Sequence, residues 1–129
     1  MADFSVSIHG NDELIAELEA ATGGALPGAR QVVSKGALNI KTDWRRLWSG
    51  IKHAPHIPRS IDYDLESDAD GASAEIGPQD DPVTQGFLGA ILEFGGIHNA
   101  PVPGGQPAAD AEQPRFEAAA DALLRKLLP

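Results

Sequence analysis

Residues 60–77 have the sequence SIDYDLESDADGASAEIG, in which apolar and polar side chains alternate with a period of two. Apolar residues occupy positions 61, 63 and 65, and acids occupy the positions between them. This alternation is typical of a strand with one face towards the core and one towards solvent. The segment Asp68-Ala69-Asp70-Gly71 has turn chemistry, and the alternation resumes at Ala72. The pattern therefore predicts a β-hairpin over 60–77.

Helical periodicity precedes this hairpin, and a helical region is predicted over 11–53. A short helix begins near residue 11, and a longer one has Pro27 in its first turn. Apolar residues recur in the longer helix at steps of three and four, and Pro55 ends it. Gly36 and Gly50 leave a break within it open. The apolar residues of this helix are Val33, Ala37, Ile40, Trp44, Leu47, Trp48 and Ile51.

The chain after the hairpin contains an apolar segment, a loop and a final helix. The segment 87–94 fits either a strand or a short helix. Glycine and proline are frequent in 95–107, which predicts a long exposed loop. Pro114 is expected to start an amphipathic helix over 114–128. Together these elements predict one α+β domain over 1–129, with N-terminal helices and a C-terminal helix packed on a small antiparallel β-sheet.

Composition excludes several functional classes. The formal net charge is −9, from 19 acidic and 10 basic residues, which argues against nucleic-acid binding as the main activity. The chain has no cysteine, so disulfides and thiolate metal sites are excluded. No apolar run approaches the roughly 18 residues of a membrane span, and no signal peptide is recognised. These features predict a soluble acidic domain that does not enter a membrane.

The charge is segregated along the chain. Residues 30–59 contain seven basic residues and one acid, a net charge of +6. Residues 60–112 contain eleven acids and neither lysine nor arginine, a net charge of −11. Runs of like charge usually form solvated faces. The same polarity also suits head-to-tail docking of one copy on the next, which is how heterologous rings form, and both interpretations stay open.

A calcium site and a turn compete for the tip of the hairpin. The motif Glu66-x-Asp68-x-Asp70-Gly71 resembles the first half of an EF-hand loop. Position twelve of such a loop is a bidentate glutamate, and here it is Gly77. The alternating segments on both sides also leave no room for flanking helices. We therefore interpret this segment as a turn.

Two histidines form the main candidate for metal chemistry. His53 and His56, with Asp62 or Asp64 as a further ligand, are the residue types of a zinc site. The histidines straddle Pro55, where the helix ends, so a surface pair favoured by the helix dipole is the simpler interpretation. The chain has no nucleophile elbow and no phosphate-binding loop motif. We therefore predict no enzyme activity, no metal and no cofactor.

Trp44 and Trp48 flank the pair Arg45-Arg46. Aromatic and basic residues together can form a patch that stacks bases and holds phosphates. Both tryptophans also lie on the apolar stripe of the predicted helix, which favours core packing with the arginines towards water. One tryptophan is expected to be partly exposed at an interface.

The order of features from residue 40 onwards resembles a known family. Ala54-Pro55 is followed closely by Ser60-Ile61, which opens the first strand of the hairpin. The aromatic and apolar segment ends in Leu92-Glu93-Phe94-Gly95-Gly96, and Gln113-Pro114-Arg115-Phe116 precedes a terminal helix rich in alanine and leucine. This order resembles the neck or tail-completion proteins of long-tailed bacteriophages, the group that includes minor tail protein Z-like proteins.

The resemblance implies a structural subunit without catalytic activity. Such proteins form a ring, here expected to contain six copies, that joins the tail to the head. The ring contacts the head-closure (stopper) ring and the tail terminator or tail tube protein. DNA passes through its axial channel as cargo, and the ring is part of a virion assembled in the host cytoplasm. The alternatives are a tail terminator or head-closure subunit, a small metal-dependent hydrolase using His53 and His56, and a non-viral acidic binding module.

The resemblance also directs attention to Glu93-Phe94-Gly95, as an anchor for the loop 95–107. In this interpretation Phe94 is buried, Gly95 has a positive φ, and Glu93 reaches a basic residue of the same or the next subunit. An ordinary strand end with a glycine turn explains the same residues, and the choice stays open. The loop is a candidate arm that orders against a neighbouring ring on assembly. The predicted subunit-interface residues are Arg45, Arg46, Trp48, Arg59, Glu93, Phe94, Gly95, His98, Pro101 and Pro103.

Overall fold

The chain folds into a small sheet and three α-helices, in a computed structural model that describes residues 6–9, 25–68, 71–81 and 83–127. The predicted short helix that begins near residue 11 lies outside these residues. None of the described helices is long and apolar enough to cross a membrane. The prediction of an α+β fold is confirmed. In chain order the elements are β1 (Val6–His9), α1 (Ala25–Leu47), a 3-10 turn (Ile57–Ser60), β2 (Ile61–Asp68), β3 (Gly71–Pro78), a second 3-10 turn (Gly86–Leu88), α2 (Gly89–Phe94) and α3 (Gly105–Leu127).

The sheet is antiparallel, and β3 lies between β1 and β2. Strands β2 and β3 form a hairpin whose ends lie within one residue of the predicted 60–77. Its register pairs Tyr63 with Ile76 and Leu65 with Ala74, so these apolar side chains share the face that packs on α1. Strand β1 pairs with the other edge of β3, which the sequence pattern did not predict. The acids of β2 alternate onto the opposite face and are exposed.

Helix α1 covers the inner face of the sheet with the apolar stripe that the sequence contains. It ends at Leu47, six residues before the predicted end at residue 53. Gly50 has a φ of +81°, a left-handed conformation that glycine adopts without strain, and it reverses the chain just after the helix. Gly36, by contrast, lies buried within the helix and does not break it. The stripe, apart from Leu47, which is 40% exposed, forms one core with the residues packed on it. The largest members of this core are Trp44, Trp48, Ile40, Ile57, Ile61, Ile76 and Val33.

Helix α3 runs antiparallel along α1, and most of its packing is against α1 rather than directly against the sheet. Near one end, a side chain at Gly28 would collide with Leu123. In the middle, Asn39 Nδ2 donates to both carboxylate oxygens of Glu112, at 2.9 and 3.0 Å. Glu112 is almost fully buried, so these charge-assisted bonds replace the water that its carboxylate loses.

The start of α3 corrects the prediction of a helix over 114–128. The helix begins at Gly105, and Pro114 lies in its interior. A proline there removes one hydrogen bond and normally ends a helix, which is why the sequence pattern placed the start at Pro114. The first two and a half turns persist because they pack on α1 through residues such as Ala108, which is 1% exposed, and because their free N–H groups are capped.

Candidate interaction surfaces

Two tryptophans form the junction between α1 and the C-terminal third of the chain. The rings of Trp44 and Trp48 are fully buried and meet edge to face, with centroids 5.5 Å apart. The Nε1–H of Trp48 donates to Val102 O at 2.8 Å. Core packing is thus the correct interpretation of the pair. The expected partial exposure of one ring is wrong, and Trp48 has no free surface for a subunit contact.

Gly104 and Gly105 lie directly against these indoles. A Cβ atom on Gly104 would lie 2.6 Å from both Trp44 Cδ1 and Trp48 Nε1, and one on Gly105 would lie 2.7 Å from Trp44 Cη2. These distances are shorter than van der Waals contact, so a side chain at either position would displace a ring. The two glycines therefore serve close packing, although their composition alone indicated a loop.

The carboxylate of Glu93 caps the start of α3. Its Oε1 accepts hydrogen bonds from the backbone N–H groups of Gly104 (3.0 Å) and Gly105 (2.8 Å), and its Oε2 accepts one from Gln106 (3.2 Å). The first N–H groups of a helix have no partner within the helix, and its N-terminus carries a partial positive charge. A carboxylate accepts hydrogen bonds from these N–H groups, and its negative charge is attracted by the positive one. The expected basic partner of Glu93 is therefore wrong, because this buried side chain is fully engaged by backbone donors.

The connecting segment 95–104 is fastened at its base and exposed at its tip. Near the base, the backbone N–H of Val102 donates to Leu92 O at 2.6 Å. At the tip, Gly96 and Asn99 exchange two backbone hydrogen bonds, of 2.9 and 3.3 Å, which closes a tight turn. The segment is therefore an ordered projection in the single chain.

This arrangement confirms one prediction about the region and corrects two. The exposed loop predicted over 95–107 is shorter, because α3 begins at Gly105 and the loop's last residue, Gly104, is buried. Gly95 has the expected positive φ, +83°. Phe94 was expected to be buried, but it is 68% exposed. The buried member of the Glu-Phe-Gly element is the glutamate, since its carboxylate caps α3 while the aromatic ring points outwards.

Four large apolar side chains form an exposed line, which we call the apolar ridge. The exposed fractions are 42% for Phe87, 44% for Ile91, 68% for Phe94 and 97% for Ile97. The first three are spaced by four and three residues, so they share one side of the helical segment that ends in α2. Ile97 follows at the tip of the tight turn. The sequence contained these residues, but the open choice between strand and helix left their common side undetermined.

Five carboxylates form a second surface, the acidic sheet face, on the side of the sheet away from α1. Four of them alternate along β2, and the fifth lies on β3 opposite the second, so all share one face. Asp62 forms an ion pair with Lys41, whose Nζ lies 3.2 Å from Oδ1 of the aspartate. The members of the face are Asp62, Asp64, Glu66, Asp68 and Glu75, and all are exposed.

The surroundings of Asp62 lower the pKa of its carboxyl group. Partial burial raises its pKa, but the hydrogen bond from the backbone N–H of Tyr63 and the charges of Lys41 and Arg45 outweigh burial, so the pKa lies below 3.8. A carboxyl group with a lowered pKa stabilises the folded chain at pH values above its ordinary pKa. This stabilisation is lost as the pH falls through the lowered pKa. Because the pair is exposed, the contribution is a few tenths of a kcal/mol, roughly.

The predicted interface residue Arg45 has an internal role. Its Nε and Nη2 donate to Ile61 O at 3.0 and 2.8 Å, which joins the end of α1 to the start of β2. Ile61 opens an edge strand, whose outward carbonyl would otherwise need water or another chain. Arg45 is therefore occupied within the subunit and is not offered to a neighbour.

The remaining interface candidates lie on the surface. Arg46 is loosely paired with Asp43 at 3.4 Å and leaves 73% of its side chain exposed. Arg59 is exposed, and so are three residues of the connecting segment. Those three are His98, Pro101 and Pro103. The exposed candidates thus fall on two separate regions, around α1 and around the connecting segment.

The histidine pair has no further metal-binding partners in the described structure. Arg59 Nη2 donates to His56 Nδ1 at 2.6 Å, so a guanidinium occupies one of the two ring nitrogens through which His56 could bind a metal. Across residues 6–9, 25–68, 71–81 and 83–127, no group of three or more histidine, aspartate or glutamate side chains is placed to hold a metal ion. His53 is exposed.

The hairpin tip has the chemistry of a turn. Asp68 Oδ1 accepts a hydrogen bond from the backbone N–H of Gly71 at 3.1 Å, a side-chain contact that stabilises turns. Gly77, at the position where a calcium loop needs its glutamate, is part of β3. The arrangement therefore favours the turn over a calcium loop.

No protein-family model, curated protein or solved structure matches this chain. Its function is therefore inferred from the two surfaces and from the resemblance in the order of its sequence features. The apolar ridge and the acidic sheet face lack any arrangement typical of catalysis among the described residues. Both are suited to contacts with other macromolecules.

Proposed function

We propose that this chain is a structural subunit of the neck or tail ring of a long-tailed bacteriophage, which joins the tail to the DNA-filled head around an axial channel. The apolar ridge is the observation that carries this proposal. In a single copy, Phe94 and Ile97 are mostly in water. Burying one such side chain contributes about 1.5–3 kcal/mol, which a contact with another protein supplies. An exposed apolar ridge on an otherwise charged protein is typical of a surface that binds another protein.

The ridge is also held in shape before any partner arrives. Glu93 lies between two ridge residues in α2 and fixes that helix to α3, while Val102 is bonded to Leu92. A preorganised surface loses little conformational entropy on binding, so its contact is tighter for the same area. This favours a rigid docking feature over an arm that orders only on assembly.

The net charge of −9 fits a subunit of a channel through which DNA slides. An acidic protein repels phosphates, whereas a basic lining would hold the DNA by counterion release. In the proposed ring, of six copies, DNA is passing cargo. The ring lies in the virion between the head-closure (stopper) ring and the tail terminator or tail tube protein, after assembly in the host cytoplasm.

A tail terminator or a head-closure subunit is the alternative within the same class. Such a subunit would use the ridge in the same way but would bind a different neighbour. The partner that the ridge selects therefore separates the three roles. No catalytic step, metal or cofactor enters any of them.

The test is co-expression of the chain with the head-closure, tail-terminator and tail-tube subunits of the same genome, followed by co-purification and by joining of filled heads to tails. The neck role predicts binding on both sides of the junction. The double variant Phe94→Ser/Ile97→Ser should reduce joining by about tenfold or more, since it removes the apolar contact. The matched control is Leu65→Ser, which changes an apolar residue that is 49% exposed outside the ridge.

Two results would overturn the proposal. One is binding to neither the head-closure ring nor a tail protein. The other is a ridge variant that joins heads to tails as well as the Leu65→Ser control does. Binding to one side only would reassign the chain to the terminator or head-closure role.

A further inference from the structure

The outer side of α1 carries exposed basic residues at a regular spacing. We call Lys35 and Arg46, with the neutral residues between them on the same side, the basic stripe. They are eleven residues apart, about three turns or 16 Å along the helix axis. All five positions of this side, Gln31, Lys35, Leu38, Thr42 and Arg46, are exposed, and none is acidic.

The basic stripe and the acidic sheet face point in opposite directions. Helix α1 packs on the inner face of the sheet through Val33, Ala37 and Trp44, on the side of the helix away from Lys35. The carboxylates of β2 alternate onto the outer face of the same sheet. One molecule therefore has an acidic front and a basic back, with the core between them.

Arg46 and Asp62 of these two surfaces form ion pairs, with Asp43 and Lys41, but several other charges of the surfaces do not among the described residues. Asp64 and Glu75 are directly opposite each other on neighbouring strands, and like charges so placed repel. Within the described residues neither of them forms an ion pair, and nor does Lys35. A neighbour that brings basic groups to this face relieves the repulsion.

We propose that copies of this chain associate front to back, with the acidic sheet face of one copy on the basic stripe of the next. This inference rests on the proposed ring and names its subunit contact. From Asp64 to Asp68 the face spans about 13 Å along β2, which long side chains at the 16 Å spacing of the stripe can match. Because the two surfaces differ, each copy binds one neighbour on each side, as ring closure requires.

The second copy is the favoured occupant because a single chain carries both complementary surfaces. Every copy of the protein thus brings the charge that its neighbour lacks, at equal concentration. Neutral residues separate the two basic positions of the stripe, so the contact also buries Leu38, which is 43% exposed in one copy. A basic segment of another protein would occupy the front alone and would leave the basic stripe unused.

The test measures self-association of the purified full chain by sedimentation velocity at two ionic strengths. At about 10 mM salt the Debye length is roughly 30 Å, and at about 1 M it is roughly 3 Å. We expect association at low salt that weakens about tenfold or more at high salt. Asp64→Lys/Glu75→Lys should abolish it, because this variant reduces the charge of the front from −5 to −1. Lys35→Glu/Arg46→Glu should also abolish it, because both of its surfaces are then acidic.

Mixing the two charge-reversed variants is the decisive arm. The unaltered acidic front of Lys35→Glu/Arg46→Glu complements the unaltered basic back of Asp64→Lys/Glu75→Lys, so an equimolar mixture should regain association while neither variant associates alone. The control Arg125→Glu/Lys126→Glu changes the net charge by the same amount as the stripe variant, at exposed positions near the end of α3, and should associate like the original chain.

A monomer at low salt, or a mixture that fails to regain association although both variants are folded, would overturn the front-to-back contact. Binding of an unrelated basic protein to the front, with no self-association, would also overturn it. These outcomes are distinguishable from failure of the neck role. The self-association experiment uses no head or tail protein, and the joining experiment uses only the ridge variant and its control.

Discussion

The two sides of the short helix α2 contrast sharply. On one side, Glu93 is 6% exposed and its charge is bound by three backbone N–H groups of α3. On the other, Ile91 and Phe94 are 44% and 68% exposed. The usual distribution, with apolar residues inside and a carboxylate outside, is inverted for these three residues.

The contrast separates stability from interaction. The carboxylate is buried because the N-terminus of α3 supplies it with hydrogen-bond donors and a partial positive charge. A buried charge without such partners would be costly, so this pairing stabilises the fold. The apolar side chains of Ile91 and Phe94 are largely exposed, and in the proposed function they are buried by a contact with another protein. Substitutions on the two sides should therefore affect different measurements.

The largest effect is expected for Glu93→Ala. It leaves three N–H groups at the buried start of α3 without their acceptor, so the free energy of unfolding should fall by about 3 kcal/mol. Urea denaturation followed by circular dichroism measures this. Glu93→Gln keeps one acceptor oxygen and should lose less.

The matched control for that prediction is Glu117→Ala. Glu117 is an exposed glutamate on α3, and its loss should cost about 0.5 kcal/mol or less. Equal losses for the two alanine variants would show that the cap does not stabilise the fold.

A smaller effect is expected for Gly104→Ala. The new methyl group collides with Trp44 and Trp48, and overpacking of this kind costs about 1–3 kcal/mol. Gly96→Ala is the control, because its Cβ would be 3.5 Å from Ile91 Cγ2, an ordinary contact. If both alanines had the same midpoint in urea, the close packing of Gly104 on the indoles would be contradicted.

The smallest effect on stability is expected on the ridge side of α2. Phe94→Ser/Ile97→Ser should change the free energy of unfolding by about 0.5 kcal/mol or less, since both side chains are mainly in water. The same urea titration measures it. A loss comparable to that of Glu93→Ala would mean that the ridge is part of the core, and the contrast between the two sides would fail.

Much of the fold could be predicted from local patterns. The hairpin was predicted to within a residue of its ends, because alternation with period two requires one buried face. The stripe of α1 was identified from its helical period, and both tryptophans lie in the core as the stripe predicted. Strand β1 and the early end of α1 at Leu47 were not predicted, since four residues and a single glycine turn carry little signal.

The surfaces could be predicted only in part. The acidic part of the sequence forms the acidic sheet face. Arg45, from the basic part, donates to Ile61 O and is therefore not available for a contact at the surface. Glu93 was recognised as important and was assigned the wrong partner. A capping carboxylate leaves a sequence signal when it is next to its helix, and this one is eleven to thirteen residues away.

The sequence by itself determined the elements whose periodicity is local, namely the hairpin, α1 and the acidic alternation of β2. Each depends on side chains a few residues apart, and every such pair is visible in the chain. Only the tertiary structure decided where α3 begins and which side of α2 meets water. Both depend on the carboxylate of Glu93 reaching the backbone of Gly105 across the tryptophan junction, a contact that exists only after α1 and α3 have packed together.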